Sequence, residues 1–272
     1  LKNPVFHDAL LALALKTDGG ASLRDAGPES PLRHRLDTIR LSAGHLAELQ
    51  RGYEAADAYC RPSEEAWSRL PLVSAICPVH RAEDVGNLVD QLLRQDYPRI
   101  EVVVVINGPR IDAAYIRERL LASGRFARVC VVEYPEDTAL GRCLNLGIAQ
   151  STGDYIARFD ADDRYLEAYL SRTMNFMLAH SAAICGRFGL LFFFESMGYL
   201  ALRECRDVAA YAITSDAFLF PGGSTIVLRR DAALRLPYDE TMTLGEDMDF
   251  YVRAYGSGFK TVYAPPFDHI VM

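Results

Sequence analysis

The chain has 272 residues, of which half are apolar and 24% are charged, and its formal net charge at pH 7 is −7. This composition is typical of a globular chain with a buried core and excludes a disordered or fibrous one. The length allows one large α/β domain with an appendage. Because an acidic chain lacks the broad basic face that binds a nucleic-acid backbone, we expect no nucleic-acid partner.

Neither a membrane span nor a disulfide framework is predicted. The longest apolar stretch near the start, residues 9–15, is far shorter than the ~20 residues that a spanning helix needs. The six cysteines are isolated and form no C-x-x-C pair, as in proteins of a reducing compartment. We expect a cytoplasmic protein, with peripheral attachment to the inner membrane as an alternative. Since the chain begins at Leu1 and stops after a strand-like segment at Met272, we also expect a fragment of a longer protein, truncated at its C-terminus.

Residues 1–69 are predicted to form a helical N-terminal extension. Their Ala/Leu-rich patterns are interrupted by a Gly/Pro-rich stretch at residues 18–31. Apolar residues then recur mostly at three- and four-residue steps, which predicts an amphipathic helix to about residue 59; they are Leu32, Leu36, Ile39, Leu46 and Leu49. Such a helix packs on the main domain, or it binds a partner, as in a homo-oligomer or in docking to a further domain.

From residue 70 to residue 272, short β-rich runs alternate with helical segments. Strands are predicted at residues 72–79, 101–106, 129–132 and 155–159, and helices at residues 82–95, 112–123 and 140–150, the last capped by Asp137 or Thr138. This alternation predicts an α/β domain with a mostly parallel central sheet flanked by helices. Because ligands bind at the carboxyl ends of such strands, the loops after Val79, Ile106 and Phe159 are candidate site loops.

The sequence contains neither G-x-G-x-x-G nor G-x-x-x-x-G-K-[ST], so the usual glycine-rich phosphate loops are not predicted. A divalent cation that bridges acidic side chains to a diphosphate is the alternative, because hard cations favour carboxylate and phosphate oxygens.

Three carboxylates follow the predicted strand at residues 155–159, in the sequence Asp160-Ala161-Asp162-Asp163. Like charges this close repel, and a bound cation would hold them ionised. An acidic turn that caps a helix starting near Tyr165 fits the spacing equally well.

A second acidic group, Glu246-Asp247-Met248-Asp249, opens another predicted helix. The helix dipole stabilises carboxylates at this end, so an ordinary N-terminal charge bias also explains the group. Together, one cluster suited to a metal ion and one suited to proton abstraction favour group transfer from a phosphorylated donor.

From about residue 70 to its end, the chain resembles family 2 of the glycosyltransferases. The segment GDYIARFDADD at residues 153–163 is similar to the family's G-[ED]-Y-I-A-R-x-D-A-D-D block, and LNLGI at residues 144–148 is similar to its L-N-x-G-I block. VLRRD at residues 227–231, YDE at 238–240 and EDMD at 246–249 follow in the family's order. The resemblance implies a GT-A fold, which is Rossmann-like with a mixed, mostly parallel sheet, and a nucleotide-sugar transferase.

The resemblance also implies roles for individual residues. Asp160 and Asp162 match the D-x-D motif, which binds Mn²⁺ or Mg²⁺ and through it the donor diphosphate. Asp247 matches the general base of inverting members, and Glu246 would orient the acceptor or the base. His269 resembles a late histidine that contacts the metal or phosphates in some members, although a lone histidine near a terminus is more often a core or surface residue.

The donor side departs from the family pattern. Asn107 stands where relatives have an aspartate that contacts the base, and its amide offers both a donor and an acceptor. The first loop, Pro78-Val79-His80-Arg81, resembles P-x-Y-N-R and would line the base and phosphates, and Asn145 of the L-N-x-G-I block is also placed with the donor. The identity of the nucleotide base stays open.

The sequence therefore predicts an inverting, metal-dependent transferase that moves a sugar from a nucleoside-diphosphate sugar, expected to be a UDP-sugar, to a hydroxyl of a glycan, a lipid-linked glycan or a protein. A catalytically silent nucleotide-sugar-binding module is one alternative. A sugar-1-phosphate nucleotidylyltransferase is another, although the glycine-rich signature that it requires is absent from residues 78–81.

Overall fold

The computed structural model describes residues 38–40, 69–136, 138–187, 189–194, 199–203, 221–242, 244–264 and 268–272. The described strands are β1 (Thr38–Arg40), β2 (Val73–Val79), β3 (Ile100–Ile106), β4 (Arg128–Glu133), β5 (Tyr155–Arg158), β6 (Arg164–Tyr165), β7 (Ile184–Gly186), β8 (Leu190–Phe194), β9 (Tyr199–Arg203), β10 (Val227–Arg229), β11 (Thr261–Tyr263) and β12 (His269–Val271). The described α-helices are α1 (Val85–Arg94), α2 (Ala113–Ala122), α3 (Leu140–Gln150), α4 (Tyr169–Ala179), α5 (Arg230–Arg235) and α6 (Glu246–Gly256).

Within these residues, seven strands form the central sheet in the order β11-β7-β10-β5-β2-β3-β4. The pairs β2–β3, β2–β5, β3–β4 and β7–β11 are parallel, and β10 is antiparallel to both β5 and β7. The predicted mixed, mostly parallel sheet is confirmed. The carboxyl ends of β2, β3 and β5 meet at one edge, which carries the candidate site loops.

Both faces of the central sheet are covered, as the apolar run of β3 indicates. Every residue of β3 is buried, as is typical of a strand between two layers of helices. Val102 and Val104 pack into one apolar core with α1, α2 and α4. Val103 and Val105 pack into a second core with α3, α5 and α6 on the opposite face.

A smaller sheet of the described residues has the order β1-β9-β8-β12-β6. Its strand β12 pairs antiparallel with β6 and parallel with β8, so that His269 lies opposite Tyr165. This sheet brings the end of the chain, around residue 270, beside the loop that follows β5.

Three predictions of secondary structure are wrong. Thr38–Arg40 is a strand paired with β9 instead of part of a helix, because pairing with a neighbouring strand overrides a weak helical pattern. Arg164–Tyr165 is a strand, and the next helix begins only at Tyr169. The N-cap of α3 is Ala139, without a side-chain hydrogen bond, since the Thr138 hydroxyl donates to Pro135 O at 2.7 Å.

The remainder of the predicted N-terminal helix, and Asp137, lie outside the described residues. Across the part of the chain that the structure describes, no helix is both long enough and apolar enough to cross a membrane.

Candidate active site

The acidic loop at residues 160–163 leaves the carboxyl end of β5 and is held from both sides. The Asp160 N–H donates to the Tyr165 hydroxyl at 2.9 Å, and this hydroxyl donates to Ser224 O at 2.7 Å. The Asn87 amide donates to the carbonyls of Ala161 and Asp163 at 2.7 and 2.8 Å. Because α4 begins at Tyr169 with Ala168 as its N-cap, these carboxylates do not cap a helix.

Asp160 is joined to the second acidic cluster through Arg158. Arg158 Nε and Nη2 donate to the two carboxylate oxygens of Asp160 at 2.7 and 2.9 Å. Arg158 Nη1 donates to Glu246 Oε1 at 2.9 Å, across 88 positions of sequence. The structure therefore brings the two predicted acidic clusters together at one edge of the sheet.

Asp162 is the exposed member of the loop. Its side chain is 50% exposed and accepts a hydrogen bond from Arg81 Nη2 at 2.9 Å. Partial burial raises the pKa of Asp162, and the neighbouring carboxylates of Asp163 and Asp160 raise it further. A positive charge bound at Asp162 would offset this repulsion.

Asp163 is buried and bonded to His269. His269 Nε2 lies 2.8 Å from Asp163 Oδ2 and 3.2 Å from Ser224 Oγ, and the Met272 N–H donates to Asp163 Oδ1 at 3.2 Å. Burial alone would raise the pKa of Asp163, but the hydrogen bonds from His269, Ser224 and Met272 lower it. His269 is fully buried, and its Nδ1 has no hydrogen-bond partner among the described residues.

Within the described part of the chain, no group of three or more His, Cys, Asp or Glu side chains is arranged to hold a metal ion. The predicted ligands Asp160, Asp162 and His269 are not assembled, because Asp160 is bonded to Arg158 and His269 to Asp163. Asp162 does fit a divalent cation, since it offers a half-exposed carboxylate in a cluster of like charges.

Asp247 lies in the first turn of α6, whose N-cap is Gly245 in the left-handed conformation at φ 83°. The Met248 N–H donates to Asp247 Oδ1 at 2.9 Å. A Cβ at Gly223 would lie 2.5 Å from Asp247 Oδ2, so only glycine allows the carboxylate to pack on this loop. Glu246 is only 4% exposed, which leaves it able to position the helix but not to contact an acceptor directly.

The ends of β2 and β3 form the predicted nucleotide-binding edge. Pro78 is buried inside β2, whereas His80 and Arg81 are exposed after it. The Asn107 N–H donates to Val79 O at 3.0 Å, and His80 Nδ1 lies 3.2 Å from Asn107 O. A Cβ at Gly108 would lie only 1.6 Å from His80 O, so the two loops are packed backbone to backbone.

The orientation of the Asn107 amide is set by its neighbour. Asn107 Nδ2 donates to Thr138 O at 2.9 Å, and a carbonyl can only accept. The buried Oδ1 points elsewhere and has no partner among the described residues. Asn107 therefore keeps an unused acceptor.

Asn145 makes a structural contact on α3. Its Nδ2 donates to Tyr238 O at 2.9 Å and its Oδ1 accepts from the Tyr238 N–H at 2.9 Å. Nδ2 also donates to Glu240 at 3.1 Å. These bonds hold the segment that leads to α6, and the donor contact of Asn145 stays a prediction.

Sequence reasoning missed Arg158 as a site residue. The signal for Arg158 was a charged residue inside the apolar strand that leads to three acids, since a buried arginine requires partners. The two glycines at residues 222 and 223 indicated either a close approach of the backbone to a sugar or a tight turn, and the structure places Gly223 against the Asp247 carboxylate.

Residues 74–196 match the sequence model of the family described as "Glycosyl transferase family 2". A relative from Erwinia amylovora, the amylovoran biosynthesis glycosyltransferase AmsB, is 27% identical over 201 residues, and the match covers 70% of this chain but only 65% of AmsB. The chain thus spans about two thirds of that relative's length.

Two solved structures have similar folds. A mannosyltransferase from Pyrobaculum calidifontis, in complex with GDP-Man and Mn²⁺, superimposes with a TM-score of 0.57 at 18% identity, covering 84% of this chain and 65% of the other. TarS from S. aureus, in complex with UDP-GlcNAc, gives a TM-score of 0.54 at 17% identity, covering 71% of this chain and 58% of the other. At this level of identity the similarity shows the fold.

Proposed function

We propose that the chain, which matches the model of glycosyltransferase family 2 over residues 74–196 and has the GT-A fold, transfers a sugar from a nucleoside-diphosphate sugar to a hydroxyl acceptor with inversion. Asp247 is the general base, and the half-exposed carboxylate of Asp162 would hold a divalent cation. The observation that carries this proposal is the Asp160–Arg158–Glu246 contact, which places the acid loop after β5 next to the helix that bears Asp247.

Asp247 is suited to receive the acceptor proton. Its Oδ1 accepts from the Met248 N–H, and its carboxylate lies partly exposed in the first turn of α6. A carboxylate within reach of an acceptor hydroxyl can serve as a general base. The acceptor oxygen then forms a bond to the anomeric carbon from the face opposite the diphosphate. The bond between the anomeric carbon and the diphosphate oxygen breaks in the same step, so the configuration at the anomeric carbon inverts.

The leaving diphosphate gains negative charge during this step. A cation bound at Asp162 would supply the positive charge that stabilises it. Arg81, which is exposed beside Asp162, is placed to contact a phosphate oxygen as well.

The base edge supports a uridine donor. Because Asn107 Nδ2 is bonded to Thr138 O, the side chain presents Oδ1 as an acceptor, which suits the ring N–H of uracil. The exocyclic amino groups of adenine and cytosine can donate to the same oxygen, so the contact with Asn107 is consistent with a UDP-sugar and does not by itself exclude ADP- or CDP-sugars.

The test replaces Asp247 with asparagine, which keeps the shape but cannot accept the proton. With Mn²⁺ and a panel of nucleotide sugars, we expect Asp247→Asn to lower kcat by about 10²- to 10⁴-fold. Asp249→Asn is the matched control, since Asp249 lies in the same helical turn but is bonded to Arg253 at 2.7 Å. The measurement is release of nucleoside diphosphate with an acceptor present.

Two results would contradict the proposal. Equal turnover by the wild type and Asp247→Asn would exclude Asp247 as the base, and a product that retains the donor's anomeric configuration would exclude inversion. Binding of a nucleotide sugar without any turnover would instead support the silent binding module.

A further inference from the structure

Arg158 is a buried arginine whose guanidinium group joins the two acidic clusters. Nε and Nη2 hold both carboxylate oxygens of Asp160, and Nη1 holds Glu246 Oε1, so each nitrogen of the group has a carboxylate partner. Arg158 is 6% exposed and Glu246 4%. Burying a charged group without a partner has a large unfavourable free energy. Each of these three buried side chains therefore depends on the other two for its charge partner.

The backbone of Arg158 is fixed in the centre of the sheet. Its N–H donates to Ile226 O at 3.0 Å, and β5 is paired on one side with β2 and on the other with β10. The side-chain stem lines a small apolar cavity together with Ile156 and Tyr238. Glu246, at the far end of the guanidinium group, is the first residue of α6 and directly precedes Asp247.

We propose that Arg158 is a positioning residue for sugar transfer: by holding Asp160 and Glu246 on one guanidinium group, it sets the position of Asp247 relative to the donor side of the site. This inference rests on the proposed function. A lysine keeps the positive charge but has one nitrogen on a flexible stem, so it cannot make the paired bonds to Asp160 and the third bond to Glu246. Positive charge alone is therefore not sufficient.

The chain contains a matched control with the same local geometry. Arg229 Nε and Nη2 donate to the two carboxylate oxygens of Asp231, also two residues later, at 2.6 and 2.8 Å. That pair is exposed at the end of β10, with 41% and 51% of the two side chains accessible. Arg229→Lys therefore removes an equivalent bidentate pair that does not reach α6.

The experiment compares Arg158→Lys with Arg229→Lys in kcat, in KM for the donor and in amide hydrogen exchange at residues 245–250. We expect Arg158→Lys to lower kcat about 10- to 100-fold, because a small misplacement of a reacting group is costly, while KM changes less than about threefold. Exchange at residues 245–250 should become faster. Arg229→Lys should change neither the kinetics nor this exchange.

Glu246→Gln, which keeps the acceptor oxygen and removes the charge, is the second variant. It should also lower kcat and speed exchange at residues 245–250. If Arg158 acts through Glu246, the double variant Arg158→Lys, Glu246→Gln should lose less activity than the product of the two single losses. Thermal unfolding of each variant gives its folded fraction, and kcat is calculated per folded molecule.

Equal kinetic effects of the two lysine variants would overturn the proposal, as would fully multiplicative losses in the double variant. If Arg158→Lys does not fold, unchanged kcat and exchange in Glu246→Gln would overturn it. If the wild type transfers no sugar from any donor, the proposed function fails. The positioning role of Arg158 is then decided by amide hydrogen exchange alone, and unchanged exchange at residues 245–250 in Arg158→Lys rejects it.

Discussion

At the residue scale, the absence of a side chain at Gly223 leaves the space that the Asp247 carboxylate occupies. A Cβ built there would lie 2.5, 2.8 and 2.9 Å from Oδ2, Cβ and Cγ of Asp247, closer than carbon atoms approach in folded proteins. We expect Gly223→Ala to displace Asp247 and to lower kcat by about 10- to 100-fold. The measurement is steady-state transfer kinetics alongside thermal unfolding.

Gly86→Ala is the control for the Gly223 substitution. Gly86 lies in α1, and a Cβ there would meet no atom within 4 Å. Alanine also has the higher helix propensity, so this variant should fold at least as well as the wild type and keep its activity. Wild-type kcat in Gly223→Ala would show that the position of Asp247 is not critical.

Among single residues, Asp162 and Asp247 were selected from two acidic clusters and from the resemblance to the family's motifs. The structure places both at the same edge of the sheet, and their roles stay predictions. His269 was chosen from its place in the chain, and the structure instead bonds it to Asp163 inside the core. Such a partner, 106 positions away, depends on the packing of the smaller sheet and has no local signal in the sequence.

At the element scale, Glu101 joins the starts of three strands at the edge opposite the site. This fully buried carboxylate accepts hydrogen bonds from the Ser74 hydroxyl, the Thr152 N–H and hydroxyl, and the Gly153 N–H. Burial alone would raise the pKa of Glu101, but these hydrogen bonds lower it. The ionised form is therefore favoured in the folded state.

The stabilisation by Glu101 depends on pH in a defined direction. Because the folded-state pKa lies below 4.5, the ordinary value for a glutamate side chain, the contribution is fully present above that value and is lost as pH falls through the folded pKa. We expect Glu101→Gln to lower the free energy of unfolding by about 2 to 3 kcal/mol at pH 7. The difference from the wild type should shrink below pH 4.5.

Urea unfolding of both proteins from pH 7 to pH 3 measures this difference. Glu133→Gln, at the exposed end of the adjacent strand β4, should be close to neutral throughout. A constant difference between the wild type and Glu101→Gln across the whole range would show that ionisation of Glu101 does not contribute.

A helix or strand could be predicted from the sequence where its pattern of apolar residues fits only one type of secondary structure. The run of valines in β3 is buried on both sides and was recognised as a strand. The acidic loop was harder, because Arg164–Tyr165 pairs with a strand more than a hundred positions later, which the sequence near Tyr165 does not reveal. Short elements formed by distant pairing are therefore the ones that local patterns miss.

At the scale of the whole molecule, the chain is acidic and its site is more acidic still. Among the described residues, Arg158 pairs with Asp160 and Glu246, Arg81 pairs with Asp162 and also with Asp84, and the nearby carboxylates of Asp163 and Asp247 have no arginine bonded to them. Arg158 is already held by two of these acids. A diphosphate brought to this edge therefore meets excess negative charge, and a divalent cation would convert that repulsion into binding.

We therefore expect the unfolding temperature to rise only when nucleotide and cation are both present. At a UDP concentration about 100 times its Kd, binding adds about 2.7 kcal/mol, a rise of roughly 5 to 10 °C for a chain of this size. Mn²⁺ alone, or UDP with a chelator, should give a much smaller rise. Asp162→Asn should abolish the additional rise, whereas Asp231→Asn, in the exposed pair with Arg229, should preserve it.

The same titration compares the donor bases. Each of the four bases carries an N–H that can donate to Asn107 Oδ1, so the order of the rises with UDP, GDP, ADP and CDP identifies the base that this edge prefers. An equal rise with all four nucleotides would show that binding depends on the diphosphate alone. A cation at this site would be contradicted if UDP raised the unfolding temperature equally with and without Mn²⁺, in both the wild type and Asp162→Asn. The diphosphate would then have bound beside the acidic loop without a cation.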